Sequence, residues 1–354
     1  MRREFPNCLL KLALAMAVVV SVLPGLAHAD DARGLPQHLG DTGLYVAGGL
    51  INPDVLPFSP QYPLWSDGAA KRRWIWLPPE TSIDASSPDA WEFPRGAKLW
   101  KEFAHGSVLE TRYLERAADG TWRFGSYVWS ADGKDAVLAP ARGLRDLPAP
   151  NAPGARYTIP SEDDCRACHE GAPVPVLGFS VLQLSPDRDP LAPHAERVAG
   201  AVNLQSLSAR GLLRNLPADL LARPPRIAAS SPAERAALGY LHGNCGNCHN
   251  NEGPLAVLEM TLAQRVAAPT SAPDANSVVR SIVGVQSQFR PSGAPQDAAR
   301  IAPGHLGASV IALRMKSRDP LQQMPPLGTS AVDAEAVALL GRWIEGLSLN
   351  SSSN

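Results

Sequence analysis

Two copies of one pattern carry the chemistry of this chain: Cys165-Arg166-Ala167-Cys168-His169 and Cys245-Gly246-Asn247-Cys248-His249. Two thiols three positions apart, followed at once by an imidazole, admit three readings. A four-cysteine zinc site would pair them, but such sites usually separate their C-x-x-C pairs by roughly 15–20 residues; here residues 169 to 244 lie between. A redox dithiol accompanies a βαβ pattern, and neither motif has one around it. Neither reading accounts for a histidine after both pairs. C-x-x-C-H is the attachment signature of c-type haem: both thiols reach the vinyl groups along one porphyrin edge, and the histidine binds the iron from the proximal side. The expectation is two covalently bound haem c groups, held by Cys165 and Cys168 and by Cys245 and Cys248, with His169 and His249 as iron ligands. The fifth cysteine, Cys8, falls in a segment expected to be removed.

Each iron has one further axial position, which low-spin electron-transfer haems fill with Met or His. Beyond the leader, Met occurs only at 260, 315 and 324, and His outside the motifs at 38, 105, 194, 242 and 305. Met324, in Gln323-Met324-Pro325-Pro326-Leu327-Gly328, is expected to serve the second haem, because the prolines restrict its loop. The alternative is an ordinary gap-filling loop methionine. The first haem has no evident partner; Met315 and His194 are the candidates, and an open iron is the third option. Arg314 and Arg318 could neutralise haem propionates, with plain solvent exposure as the default.

The elements that must position these groups change character along the chain. Residues 30–62 are rich in Gly, Pro and Asp and read as an extended arm. Seven of the eight tryptophans lie between Trp65 and Trp129. There, Arg72 to Leu77, Ala97 to Ala104, Ser107 to Arg116 and Thr121 to Ala131 are short strand-like runs separated by turn-prone His105-Gly106, Ala118-Asp119-Gly120 and Asp132-Gly133. They predict a small antiparallel β domain over 63–155 with at least two hairpins. Large aromatics chiefly supply buried area, so core packing is expected of the tryptophans ahead of a ligand platform. Arg142 to Tyr157 reads as a linker.

Helical signals follow. Ser161 is an N-cap before acidic residues and the first motif; Pro173 to Leu184 reads as an irregular wrap beside it. Asn203 to Leu213 predicts a short helix stopped by Gly211. Ser231-Pro232-Ala233-Glu234 is a capping box with proline at the first helical position, and its helix runs into the second motif. Val337, Leu340, Trp343, Ile344 and Leu347 share one face of a last helix over Asp333 to Leu347. The fold class expected is α+β and multidomain: the β domain, then two mainly α haem domains over 156–230 and 231–354.

The N-terminus reads as an export signal over 1–29: Arg2, Arg3 and Lys11, an apolar run from Leu12 to Leu23 too short for a membrane span, and Ala27-His28-Ala29 for cleavage. A periplasmic or secreted product is expected, without a transmembrane segment. The formal net charge is −1, so there is no basic field for nucleic acid.

Helix, C-x-x-C-H, long loop and closing helix over Ser231 to Leu347 resemble class I cytochrome c. More broadly the chain resembles exported bacterial dihaem c-type cytochromes with a β-rich segment before the first haem. The stretches that carry this are Pro63-Leu64-Trp65-Ser66-Asp67-Gly68-Ala69, Phe93-Pro94-Arg95-Gly96, Glu110-Thr111-Arg112, Tyr127-Val128-Trp129 and Arg314 to Gly328. The resemblance implies haem binding and one-electron transfer between a donor and an acceptor protein, and names no substrate. An electron carrier is expected ahead of two rivals: a dihaem peroxidase or oxidase using an open first haem, and a binding module in which the β domain recognises a ligand or partner.

Overall fold

The computed structural model describes residues 34–266 and 276–350, with the backbone alone for 348–350. The expected export signal and Cys8 lie outside the described residues. In chain order the strands are β1 Leu56–Pro57, β2 Ala70–Trp76, β3 Ile83–Asp84, β4 Lys98–His105, β5 Ser107–Arg116, β6 Trp122–Trp129, β7 Ala136–Leu138, β8 Leu144–Pro148, β9 Arg156–Ile159 and β10 Leu213–Arg214. The helices are α1 Glu162–His169, α2 Leu204–Ala209, α3 Asp219–Ala222, α4 Pro232–Asn244, α5 Ser277–Ile282, α6 Val310–Lys316 and α7 Ala334–Asn350. The fold class is α+β. Among the described residues, no helix is long and apolar enough to cross a membrane.

An antiparallel six-stranded sheet in the order β1-β2-β4-β5-β6-β7 is the scaffold. Successive side chains of a strand point to opposite faces, so register decides what each face carries. Trp74, Trp100 and Tyr113 stand opposite one another on one face; Ile75, Leu99, Leu114 and Phe124 form a row on the other. Both faces are covered. Leu35, Leu39, Leu44 and Val55, from the segment expected to be an arm, pack over the first. Trp100 Nε1 donates to Thr42 Oγ1 at 2.9 Å there, and Tyr127 Oη to the Pro36 carbonyl at 2.8 Å. The second face receives Val176, Phe179, Val181 and Leu184 of the irregular wrap, with Leu204 and Leu207 of α2.

Trp65, Trp74, Trp91 and Trp100 are buried, while Trp76, Trp122 and Trp129 are half-buried against the same clusters. The tryptophans therefore serve mainly as packing, and none forms an exposed platform. The expected linker contains a two-stranded ribbon, β8 with β9, which delivers the chain to α1.

A third cluster joins α4, α6 and α7 through Leu238, Leu241, Ala312, Leu340, Trp343 and Ile344. Tyr62, Trp65 and Leu182 belong to it, so cores are shared across the boundaries expected at 156 and 231. Ser231 Oγ accepts from Glu234 N at 3.1 Å, as the capping box requires. The reciprocal half is made differently: the Glu234 carboxylate takes the hydroxyl of Ser230 at 2.5 Å. Asp333 caps α7 by accepting from Ala336 N.

Gly239 and Gly243, four apart, lie on one side of α4 and let the Tyr62 segment rest against it. A Cβ on Gly243 would overlap the backbone carbonyl of Tyr62, which cannot swing aside as a side chain can. Gly243→Ala is expected to destabilise the protein by about 1–3 kcal/mol through overpacking, offset by up to about 1 kcal/mol of helix propensity. Urea unfolding with an unchanged slope measures it.

Candidate functional site

Both motifs open onto one cavity of about 1260 Å³, lined mostly by apolar groups and reached by Cys165, Cys168, His169, Cys245, Cys248 and His249. They arrive by different routes. The first lies inside α1. Ser161 and Asp164 cap that helix reciprocally, and Glu162 N donates to the Ala141 carbonyl at 2.7 Å, fixing it to the end of the ribbon. Arg166 pairs with Glu162 and Glu170 on neighbouring turns and lies over the ring of Phe124 of β6. The second motif begins where α4 ends: Cys245 is its C-cap, and the chain turns through Cys248 N and His249 N, both donating to the Cys245 carbonyl.

The two motifs touch. Cys248 Sγ donates to the Ala167 carbonyl at 3.7 Å, and the neighbouring Cys168 thiol holds the Cys248 thiol below its usual range. Burial pushes Cys165 up to about 11 and Cys245 up to about 12. Asn250, directly after the second motif and buried, staples the pair. Its Nδ2 donates to Gly171 O at 2.7 Å and to Gly246 O and Asn247 O, and its Oδ1 accepts from Glu252 N and Gly253 N. Asn250→Ala leaves these buried groups without partners, at about 1–3 kcal/mol for each unsatisfied group. A loss of about 2–4 kcal/mol is expected in chemical unfolding, against little change for Asn251→Ala, which alters an exposed neighbour.

The two histidines are kept neutral. His169 Nδ1 bonds the Pro175 carbonyl; a carbonyl can only accept, so Nδ1 carries the hydrogen and Nε2 keeps its lone pair. A hydrogen bond of this kind fixes the tautomer and ring orientation of an imidazole ligand. Burial pushes His169 down to about 4. His249 is also lowered, by burial first and then by Arg314, and its Nδ1 is buried without a hydrogen-bond partner. Buried polar atoms without partners are rare and call for a ligand or other explanation.

Met324 lines the cavity. Its N–H donates to the Arg314 carbonyl at 3.1 Å, and Arg314 Nε holds Gln322 O at 2.9 Å. The far end of the loop is tied to Asp67, whose carboxylate accepts from Ser330 N, Ser330 Oγ and Ala331 N at 2.8–3.0 Å. Met315 is buried against α7 and also reaches the cavity wall. His194 does not line the cavity. Its Nε2 meets Asp333 at 2.9 Å and its Nδ1 faces Glu335 at 3.6 Å. Arg314 stands at the wall, stacked on Phe289. Arg318 is not on the wall; it donates to Met315 O and keeps Nε and Nη1 buried without partners.

Two further histidines reach the cavity that sequence reasoning had not assigned. His242 Nδ1 accepts from Gln264 N at 3.2 Å, which places its hydrogen on Nε2. His105, at the end of β4, has a buried Nε2 with no partner. Strand parity with Lys101 was the only signal for His105.

The residues present fit two covalent haem groups. The cavity exceeds the roughly 300–1,000 Å³ of a single-ligand pocket, and it presents two thiol pairs, two neutral imidazoles and a thioether. Among the described residues, no three His, Cys, Asp or Glu side chains are grouped as metal ligands. Compared with known proteins, the chain matches no protein-family model, no curated protein and no solved structure.

Proposed function

We propose that this chain is an exported dihaem c-type cytochrome that passes single electrons between redox partner proteins. The observation that carries the reading is the convergence of both C-x-x-C-H motifs, each with a neutral histidine, on one large apolar cavity. When bound, two haem c groups would supply one-electron iron chemistry.

The chain's own residues would do the rest. Cys165, Cys168, Cys245 and Cys248 would hold the groups through thioethers, and His169 and His249 would supply imidazole ligands to the irons. The Pro175 carbonyl keeps His169 in the tautomer with a free Nε2. Met324 is offered to the second iron from a loop pinned by Arg314 and Asp67. The apolar walls exclude water, which limits the reorganisation accompanying a change of charge. The contact of Cys168 with Cys248 sets one attachment point of each motif beside the other, which favours transfer between them. The export reading rests on the sequence of residues 1–29.

The test is expression in a host that attaches haem c, followed by a pyridine haemochrome assay and intact mass. Two haems per chain and two low-spin spectra are expected; no covalent haem ends the proposal. The enzyme reading is favoured by one observation, the unpartnered Nε2 of His105 in the cavity. Carbon monoxide binding to one reduced haem, with peroxide turnover lost in His105→Ala, would establish it in place of the carrier.

A further inference from the structure

The register of the sheet does something on the cavity side that neither haem attachment nor axial ligation uses. Two residues along from the apolar row Ile75, Leu99, Leu114 and Phe124, on the same face, stand Arg73, Lys101, Arg112 and Ser126, each directly opposite the next. Arg73, Lys101 and Arg112 all line the cavity. Strands lie about 4.8 Å apart and rise about 3.4 Å per residue, so three cations span about 10 Å, roughly 7 Å from an apolar band. Like charges directly opposite in a sheet are destabilising, and burial sharpens the cost.

The protein compensates only part of this row. Arg112 has a two-pronged bond to Glu110, at 2.8 and 3.1 Å, but Glu110 also accepts from Tyr157. Arg73 has Glu196 at 4.0 Å, whose side chain is 41% exposed. Lys101 has no ion pair among the described residues; its Nζ faces the ring of Phe103 at 4.8 Å. Lys71, buried two residues from Arg73 on the same face, adds a fourth cation. Burial, then Arg73, Lys71 and Arg112, hold the Lys101 ammonium well below the usual lysine range.

We propose that Arg73, Lys101 and Arg112 form a carboxylate-binding site on the sheet wall of the cavity, built for a ligand with an apolar body and acidic groups along one edge. An unpaired ammonium between two guanidinium groups, beside an apolar strip, is complementary to such a ligand and unfavourable without it. Phe124 of the apolar row packs against His169 with ring centroids 5.2 Å apart, so the site shares a wall with the first motif. The carboxylates come either from the propionates of a haem on that motif, a form that rests on the haem reading, or from a free di- or tricarboxylate.

The test uses the whole protein after haem attachment, with Lys101→Met, Arg73→Gln and the charge-keeping Lys101→Arg. If propionates occupy the site, each neutral variant lowers one of the two haem midpoint potentials and moves its pH step upward, because a lost cation raises the propionate pKa. The other midpoint stays, and Lys101→Arg matches the wild type. If a free carboxylate occupies it, citrate or succinate titrated by calorimetry binds the wild type, and Lys101→Met weakens binding at least tenfold while the potentials stay put. A lowered midpoint without a moved pH step, or no change at all, combined with no binding of either acid, overturns the assignment. A wild-type chain without covalent haem would sink the haem reading alone, since the calorimetric arm still tests the site.

Discussion

Cys165→Ala with Cys168→Ala is expected to yield a protein carrying one covalent haem instead of two, and Cys245→Ala with Cys248→Ala to yield the complementary single-haem protein. Neither substitution removes an element that builds the fold. The cap at Ser161 and the Arg166 pairs hold α1 independently of its thiols, and the Asn250 staple is made from an amide and backbone carbonyls. What each double variant removes is the attachment, and with it the filling of part of an apolar cavity. Covalent haem stays on the chain in both states, but only the native state buries its apolar faces in the cavity, so both variants are expected to melt below the wild type. The second should fall further, because Cys245 packs against the α4–α6–α7 core whereas Cys165 packs at the edge of the sheet cluster. Haemochrome assay, intact mass and iron content check this together. Two haems persisting in either variant, or wild-type protein with zinc in place of iron, would refute the assignment of the cysteines.

How much of this was legible in the amino-acid sequence depended on the range of the interaction involved. The strands β2, β4, β5 and β6 were readable because local alternation and turn residues report a strand without reference to its partner. Helix α7 was readable from its 3.6-residue period. The ribbon β8–β9 was not: Pro148, Pro153 and Gly154 dominate a segment whose strands are short, and such strands carry little periodic signal. The site divides the same way. Cysteine spacing is local, so the motifs were visible. Their contact joins Cys168 to Cys248, and no local pattern encodes it. Asp67 was visible only as part of a familiar string; its work is done on Ser330, 263 residues away. The cationic row needed three strand registers at once, since Arg73, Lys101 and Arg112 look like ordinary surface charges until β2, β4 and β5 are aligned.

Met324→Ala is expected to lower the midpoint potential of one haem by on the order of 0.1 V, a fraction of the roughly 0.8 V range that axial ligands command. It should also abolish the methionine-to-iron charge-transfer band. Thioether ligation raises the potential of a haem relative to imidazole, so losing it should favour the ferric state. The argument for Met324 over Met315 is one of support. Met315 is a core residue of α6, packed against α7, and a methionine in that position is used to fill space. Met324 has its backbone bonded to Arg314 and its loop tied back to Asp67, an arrangement that orders the loop while leaving the side chain at the cavity wall. The same logic makes Asp67 a positioning residue. Asp67→Ala should weaken the charge-transfer band and leave haem stoichiometry at two, an effect that general destabilisation would not produce. Met315→Ala should lower stability by about 2–5 kcal/mol, as for large core truncations, and leave the band in place. If the band survives in Met324→Ala and disappears in Met315→Ala, the second iron takes its ligand from the helix and the loop methionine is packing.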